Sequence, residues 1–501
     1  MPLLSAYLSR IRRMAVPSAT NLSMAPSPSS TGGDSSRRGL TLVMGNPSAD
    51  LDSFISAIVL SYFYNRGVNS GMSARSPQGR TQMYVPILNL PSVRAKELWR
   101  LRPEFGVALR LAMGEKPERV TKGTSGGKPP GEEGKTEMLD EVLTIADVVD
   151  DQGSTLQEVF TAIGKDDAKT ASVHEKQKVI LVDHNAPSIP LPGLSDEVIR
   201  SRIDVVGCVD HHVDEGYVSS DAEPRIVRTG IGSCTSLVVQ HLRDEGLWPA
   251  SFPDQENDQG DDDGVRQVAR LALAAILIDT SNLKASGDKC SDLDREVVKF
   301  LESIVMHTGG VKVQGTMSGE ATANTKWDRD AFHEVLSATK TNSLDLLTMQ
   351  EIFDRDYKSW TEPTAKHVDV NIGISSLVKP LSWLVRHAGG VDDFLDEVER
   401  FAYDEERKLG VFAMLTRAGV GKELVLLGLN DEVNSIVDKF EARAGELKLK
   451  TWEEDEPEGL AKALSQRVGG QKGAWKIWWM GDTSKSRKQV GPLVREATRE
   501  V

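Results

Sequence analysis

Four stretches of this sequence place carboxylates and imidazoles directly after apolar runs. After LTLVM come Asn46, Asp50 and Asp52. After KVILV come Asp183, His184 and Asn185, and after RIDVVGCV come Asp210, His211 and His212. A fourth run, LALAAILI, leads straight into Asp279. Carboxylate oxygens with neutral imidazole nitrogens suit divalent cations such as Mg²⁺, Mn²⁺ or Co²⁺. Four Asp with at least one His can hold two cations, and such a pair activates a water and clamps a phosphoryl group. A fifth stretch, SKSRKQVGPLV, puts Lys485, Arg487 and Lys488 together in an otherwise acidic chain. Arg offers phosphate oxygens a planar fork and Lys adds a compact charge.

Each stretch also has a plainer reading. Asp50 and Asp52 fit a turn that caps a helix. An EF-hand is disfavoured, because a loop starting at Asp50 has no Gly at its sixth position and no Glu at its twelfth. VDHN fits a polar turn and VDHH two surface histidines, although neighbours on a strand point to opposite sides, so that one could bind metal and the other substrate. LIDTSN fits an ordinary element end, and SRKQ a solvated basic turn. What favours chemistry is the combination, since no packing requirement puts acids or histidines at four separate ends.

The elements that would position these residues follow from hydrophobic pattern. LTLVMGN, QMYVPILNL, KVILVDHN and RIDVVGCVDHH read as buried strands; SFISAIVLSYFYNRG, LSDEVIRSR, SCTSLVVQHLRDEG, VRQVARLALAAILI and SDLDREVVKFLESIV read as helices. Such alternation predicts an α/β fold with a parallel sheet, whose sites lie outside the carboxyl ends of the strands. Residues 39–306 are expected to form this domain. GEKPERVTKGTSGGKPPGEEGKTE reads as a solvated loop and DQENDQGDDDG as an acidic turn. Residues 307–328 read as a linker and 329–501 as a second, smaller α/β domain.

The chain has 501 residues and a net charge of −14, which argues against non-specific nucleic-acid binding. Its three cysteines form no CxxC pair, which points to a reducing compartment, and no apolar run reaches membrane-spanning length. Residues 1–38 hold Arg10, Arg12 and Arg13 and no acid before Asp34. Leu3, Leu4, Tyr7, Leu8 and Ile11 can share one helix face, as in a mitochondrial transit peptide. A disordered tail is the alternative, and either way residues 1–38 are expected to lie outside the fold.

The ordered series GNPSADLDS, VDHN, VDHH and IDTSN resembles the DHH phosphoesterase superfamily. SKSRKQVGPLV resembles the Ser-Arg-Lys-Gln signature of the second type of DHH-associated domain, and FDRDYKSW and VNIGISSLVKPL resemble that domain's core. The resemblance extends from residue 40 to about residue 495. It implies two domains with the active site in the cleft between them. It implies that Asp50 and Asp183 hold one metal, that Asp52, Asp183, His211 and Asp279 hold another, and that His212 contacts the phosphate or leaving oxygen. Arg487 and Lys488, with Lys379 as a further candidate, would bind substrate phosphates. Gly232, Ser233 and Thr235 resemble the loop after the third motif, with Ser233 facing substrate, although a simple helix cap explains that loop equally well.

One departure bears on substrate. The manganese-type pyrophosphatases of this superfamily have His where this chain has Asn46, whereas exopolyphosphatases and prune-like proteins have Asn. Losing an imidazole favours harder cations, so Mg²⁺ is expected to serve well, with Mn²⁺ and Co²⁺ less dominant. The resemblance thus implies an exopolyphosphatase that hydrolyses the terminal phosphoanhydride of inorganic polyphosphate with two divalent cations. The partner would be polyphosphate or another small phosphoanhydride, with no nucleic acid and no membrane, and the chain would be a monomer. Its place would be the cytoplasm, or the mitochondrion if residues 1–38 target it. The alternatives are a manganese-type pyrophosphatase, a prune-like hydrolase of short polyphosphates or nucleotides, and an interaction protein that keeps the fold without the chemistry.

Overall fold

The structure is a computed structural model. It describes residues 2–16, 39–69, 82–122, 137–150, 160, 176–191, 194–249, 259–306, 327–342, 344, 347–419, 421–452, 459–467 and 474–501. The chain divides into two compact units, Met1–Lys340 and Thr341–Val501. The linker expected at 307–328 lies outside the described residues apart from Trp327 and Asp328.

The first unit begins with helix α1 (Leu4–Ala15). Strand β1 (Leu40–Met44), helix α2 (Leu51–Asn69), strand β2 (Met83–Ile87) and helix α3 (Pro103–Ala112) follow. Next come β3 (Gln177–Val182), α4 (Asp196–Arg202), β4 (Ile203–Asp210), β5 (Arg225–Val227), α5 (Cys234–Asp244), α6 (Gln259–Asp279), α7 (Asp292–Met306) and α8 (Arg329–Asn342). The five strands form one parallel sheet in the order β2-β1-β3-β4-β5. The short apolar runs are thus what parallel strands buried on both faces require. α2 is buried along nearly its whole length and packs on β1 and β2 and against α5 and α6. A helix apolar on every side is one that is enclosed.

Three local expectations change. Residues 4–15 belong to the fold rather than to a tail outside it. Leu4, Tyr7, Leu8, Ile11 and Ala15 of α1 are all buried in the core of the first unit. The Leu4 N–H donates to Gln267 Oε1 at 2.8 Å, and the Tyr62 hydroxyl donates to the Pro2 carbonyl at 2.7 Å. Residues 17–38 lie outside the described residues. Within the expected loop from Gly114, Pro117–Lys122 is helical and residues 123–136 lie outside the described residues. The expected acidic turn already belongs to α6 from Gln259 onward, its earlier residues lying outside the description.

The second unit contains α9 (Met349–Asp354), β6 (Tyr357–Pro363), β7 (Asp369–Ser376), α10 (Leu381–Ala388), α11 (Val391–Ala402), β8 (Leu409–Ala418) and β9 (Gly421–Gly428). It continues with α12 (Ile436–Arg443), β10 (Leu449–Thr451), α13 (Leu460–Arg467), β11 (Trp475–Met480) and α14 (Arg487–Arg499). Its sheet runs β10-β11-β9-β8-β7-β6, with β7 and β8 parallel and the remaining neighbours antiparallel. Alternate residues of β7, β8 and β9 face α12 and α14 to form its core. Among the described residues no helix is long and apolar enough to cross a membrane.

Candidate metal centre

In the first sheet the chain leaves β1 toward β2 on one side, and β3 lies on the other. That makes the carboxyl ends of β1 and β3 the topological switch point, where open parallel sheets bind ligands. The first two motifs follow these two strands, and the third follows β4. Asp279 arrives differently, at the end of helix α6 rather than of a strand.

The turn after β1 is tight. A Cβ on Gly45 would stand 2.5 Å from the Ser53 Cβ, so only glycine lets α2 begin this close to the strand. Asp50 Oδ1 accepts the Ser53 N–H at 3.0 Å, so Asp50 does cap α2 as the plain reading supposed. Ser53 instead turns its hydroxyl to Asp183 Oδ2 at 2.8 Å, and Asn46 Nδ2 donates to the same oxygen at 2.8 Å. Asp183 itself has a left-handed backbone conformation, φ 61°, which non-glycine residues adopt infrequently, Asp and Asn more readily than most.

The other Asp183 oxygen, Oδ1, lies 3.0 Å from His211 Nε2. His211 Nδ1 lies 3.0 Å from the Ile231 carbonyl. A carbonyl can only accept, so Nδ1 carries a proton and the ring turns its Nε2 to Asp183. Asp52 Oδ2 faces the same nitrogen at 3.9 Å. His211 Nε2 and the two carboxylate oxygens therefore converge on a point where a metal cation could replace a proton. Two ligand arms of about 2.1 Å at the right angle of an octahedron end about 3.0 Å apart, so the His211–Asp183 spacing suits a cation of the Mg²⁺ or Mn²⁺ kind. Donor atoms of Asp183, His211 and His212 lie within 4.8 Å of one another.

Asp279 completes the charge pattern. It is half-buried, but its Oδ2 is wholly enclosed and has no hydrogen-bond partner among the described residues. Burial pushes its carboxyl well above the usual range, and the charges of Asp52, Asp50 and Asp183 push the same way, with Lys340 opposing. A carboxylate so placed ionises readily only beside an added positive charge. The residues present thus fit a divalent cation.

His212 is held separately. Its ring Nδ1 lies 2.7 Å from Asp210 Oδ1, and its backbone N–H donates to the same oxygen at 3.2 Å. Asp210 is fully buried. Burial opposes its ionisation, but the His212 charge and hydrogen bond outweigh that and keep Asp210 well below the usual carboxylate range. Asn185 Nδ2 donates to Asp210 Oδ2 at 2.6 Å and to the Val213 carbonyl at 2.9 Å, while its Oδ1 accepts the Glu215 N–H at 2.7 Å. The Asn of VDHN thereby ties the second motif to the third.

Asp52 lies against the first turn of α5. Its Oδ1 accepts from Ser233 Oγ at 2.8 Å, Thr235 N at 2.9 Å and Thr235 Oγ1 at 2.7 Å, and its Oδ2 accepts from Cys234 N at 2.6 Å. Oδ2, the less crowded oxygen, is the one that faces His211. Ser233 was expected at the substrate; it is fully buried and its hydroxyl donates to Asp52, behind the carboxylates.

Arg487, Lys488 and Lys379 belong to the second unit. SRKQ is the start of α14, where Ser486 accepts the Lys488 N–H at 3.4 Å and Gln489 Oε1 accepts the Ser486 N–H at 2.9 Å. The Ser and Gln of the signature are therefore a capping box, with Arg and Lys on the positive end of a helix, an arrangement suited to anions. Arg487 is braced by Asp356 of FDRDYKSW, with Nη1 donating to its carbonyl at 2.6 Å and Nη2 at 2.8 Å from its carboxylate. Lys379 Nζ lies 5.2 Å from the centre of the Trp383 ring, which stacks on His387.

A parallel α/β domain with an Asp–His centre at its carboxyl edge, followed by a mixed-sheet domain ending on a basic helix start, defines the class. The N-terminal domain of the DHH family matches residues 41–276, and the DHHA2 domain matches residues 334–497. The chain belongs to the DHH family and carries a DHHA2 domain. A Schizosaccharomyces pombe protein named "Putative exopolyphosphatase" is 25% identical over 471 residues, spanning 93% of each chain. Among solved structures, a Methanococcus jannaschii protein titled "putative family II inorganic pyrophosphatase" aligns with TM-score 0.45 and 16% identity over 92% of this chain and 99% of its own. An exopolyphosphatase-related protein from Bacteroides fragilis aligns with TM-score 0.33 and 11% identity, over 92% of this chain and 91% of its own.

Proposed function

We propose that the chain is a divalent-cation-dependent exopolyphosphatase, releasing orthophosphate from the end of inorganic polyphosphate. The observation that carries this reading is the convergence of His211 Nε2 with Asp183 and Asp52 oxygens, 3.0 and 3.9 Å away, beside the Asp279 oxygen that has no partner among the described residues. Asp50, Asp52, Asp183, His211 and Asp279 would hold two cations. Bound there, the cations supply an activated water and charge neutralisation at phosphate oxygens.

The chain's own groups do the rest. Asn46 and Ser53 fix Asp183 in place. His212, its Nδ1 held at Asp210, turns Nε2 to the leaving oxygen and delivers a proton there. Arg487 and Lys488 are assigned to the equatorial and bridging phosphate oxygens, with Lys379 as a further contact. Asn46 uses its amide nitrogen as a donor to Asp183 rather than as a ligand, which supports the exopolyphosphatase reading over a pyrophosphatase that has an imidazole there. Mg²⁺ is the expected cation, with Mn²⁺ or Co²⁺ also serving.

The test is phosphate release from long-chain polyphosphate, pyrophosphate and nucleotides, each with Mg²⁺, Mn²⁺ and Co²⁺. Preferential release from long chains supports the proposal. Preference for pyrophosphate with Mn²⁺ replaces it with the pyrophosphatase reading, and release from no anhydride with any cation leaves an interaction protein. Asp183→Asn is expected to abolish turnover with the fold intact; near-normal activity would remove Asp183 from the site.

A further inference from the structure

One short segment, Ile231–Ser236, touches two of the five candidate ligands and the chain neighbour of a third. The Ile231 carbonyl accepts the His211 Nδ1–H at 3.0 Å. Ser233, Cys234 and Thr235 supply Asp52 with four donors. Gly232 packs against Thr280, the residue after Asp279; a Cβ there would stand 2.8 Å from Thr280 Cγ2 and 2.5 Å from the Lys289 carbonyl oxygen. The positions of His211, Asp52 and Asp279 all depend on where this segment lies.

What holds the segment is Asp294, in the first turn of α7 and wholly buried. Its Oδ2 accepts from the Gly232 N–H at 2.9 Å, the Ser291 N–H at 2.7 Å and Ser291 Oγ at 2.7 Å, and its Oδ1 accepts from Ser236 Oγ at 2.6 Å. Ser291 and Asp294 form a capping box, the Asp294 N–H returning to Ser291 Oγ at 3.2 Å. A box accounts only for the Ser291 bonds. The bonds to Gly232 and Ser236 span 62 and 58 residues of sequence and brace a different helix start.

We infer that Asp294 is a positioning residue of the cation centre, fixing the Ile231–Ser236 segment and, through it, His211, Asp52 and Asp279. The inference rests on the proposed cation site. Asp294 touches neither cation nor substrate. Its two oxygens accept four donors at once, which alanine cannot replace. Partners that orient metal ligands typically contribute about 10–100-fold in metal affinity.

The test is calorimetric titration of Mn²⁺ alone into the full-length chain after chelator treatment, with thermal unfolding followed by circular dichroism on the same samples. Asp294→Ala is expected to bind Mn²⁺ about 10–100-fold more weakly than the unaltered chain. Asp294→Asn is expected to retain most of the affinity. Its amide oxygen can still accept from the Gly232 and Ser291 N–H groups, and its amide nitrogen can donate to Ser236 Oγ. Equal affinities for the Ala variant and the unaltered chain would overturn the inference while leaving the cation site standing. An unaltered chain that binds no Mn²⁺ would overturn both. Should Asp294→Ala not fold, the Ser236→Ala, Ser291→Ala double variant keeps both backbone donors, and unchanged Mn²⁺ affinity in it would overturn the inference equally.

Discussion

Replacing Asp279 with Asn should stabilise the cation-free protein while disabling its site. Asp279 is half-buried at the end of α6, with Oδ2 enclosed and unpartnered among the described residues, and loss of hydration, Asp52, Asp50 and Asp183 all raise its pKa in the folded chain. A carboxyl whose folded pKa lies above its unfolded value binds its proton more tightly when folded. Its contribution to stability is therefore fully present below the unfolded value, about 3.9, and is lost as pH rises toward the folded one. Each pH unit between the two values removes at most about 1.4 kcal/mol, so from pH 4 to 7 the loss is at most about 4 kcal/mol however high the folded value lies. Asp279→Asn has no proton to lose. In EDTA its margin over the unaltered chain should grow from pH 5 to pH 7 toward that ceiling. Cation should reverse the order, because ligand at a hundred times its Kd adds about 2.7 kcal/mol to a chain that can bind it. Urea unfolding at pH 5, 6 and 7, in EDTA and in saturating Mn²⁺, measures both effects. A variant no more stable than the unaltered chain in EDTA at pH 7, or a margin flat with pH, would refute the electrostatic reasoning.

Two further outcomes follow from the geometry. Asp210→Asn places an amide between the His212 and Asn185 donors, and Asn185 cannot turn over without breaking its bonds to Val213 and Glu215. The kcat for phosphate release should fall about 100-fold or more, the scale of a lost general acid, with Mn²⁺ affinity by calorimetry little changed; an unaltered kcat would take His212 out of proton transfer. Leu8→Ala removes a buried side chain that shares an apolar void with Ile11, Phe54, Ile58, Ile87 and Val142. Such a truncation costs about 2–5 kcal/mol unless α1 undocks for less, and either response should speed tryptic cleavage at Arg10, Arg12 and Arg13; unchanged cleavage and melting would mean that α1 adds nothing to the core.

The parts legible in the sequence are those set by local pattern. LTLVM and KVILV read as strands because a parallel strand covered on both faces needs a continuous apolar run. The residues that follow them read as ligands because side-chain type alone limits which cations they suit. α1 shows where pattern stops: a leader and a docked helix share the same apolar stripe, and what separates them is the receiving surface around Tyr62 and Gln267. The bracing of the site is hidden for the same reason. Asn46 reaches Asp183 across 137 residues and Gly232 reaches Asp294 across 62, and neither partner choice leaves a local trace. The one visible mark, Ser291-x-x-Asp294, reads only as a helix cap.

Cap and ligand were posed as rival readings of Asp50 and Asp52, and the hydrogen bonds explain why they need not exclude each other. Clustered buried carboxylates repel one another, and each must be met by donors or by positive charge. Helix starts supply donors: α5 meets Asp52 through its first turn and Asp294 through Gly232 and Ser236. Asp210 is met by His212 and Asn185, and Asp183 Oδ2 by Asn46 and Ser53. Among the described residues Asp279 Oδ2 is left without a donor, and His211 Nε2 and Asp183 Oδ1 meet each other at 3.0 Å on the same side. Under the proposed function that is where the cations belong, and the caps elsewhere keep the remaining charge from unfolding the site before a cation arrives.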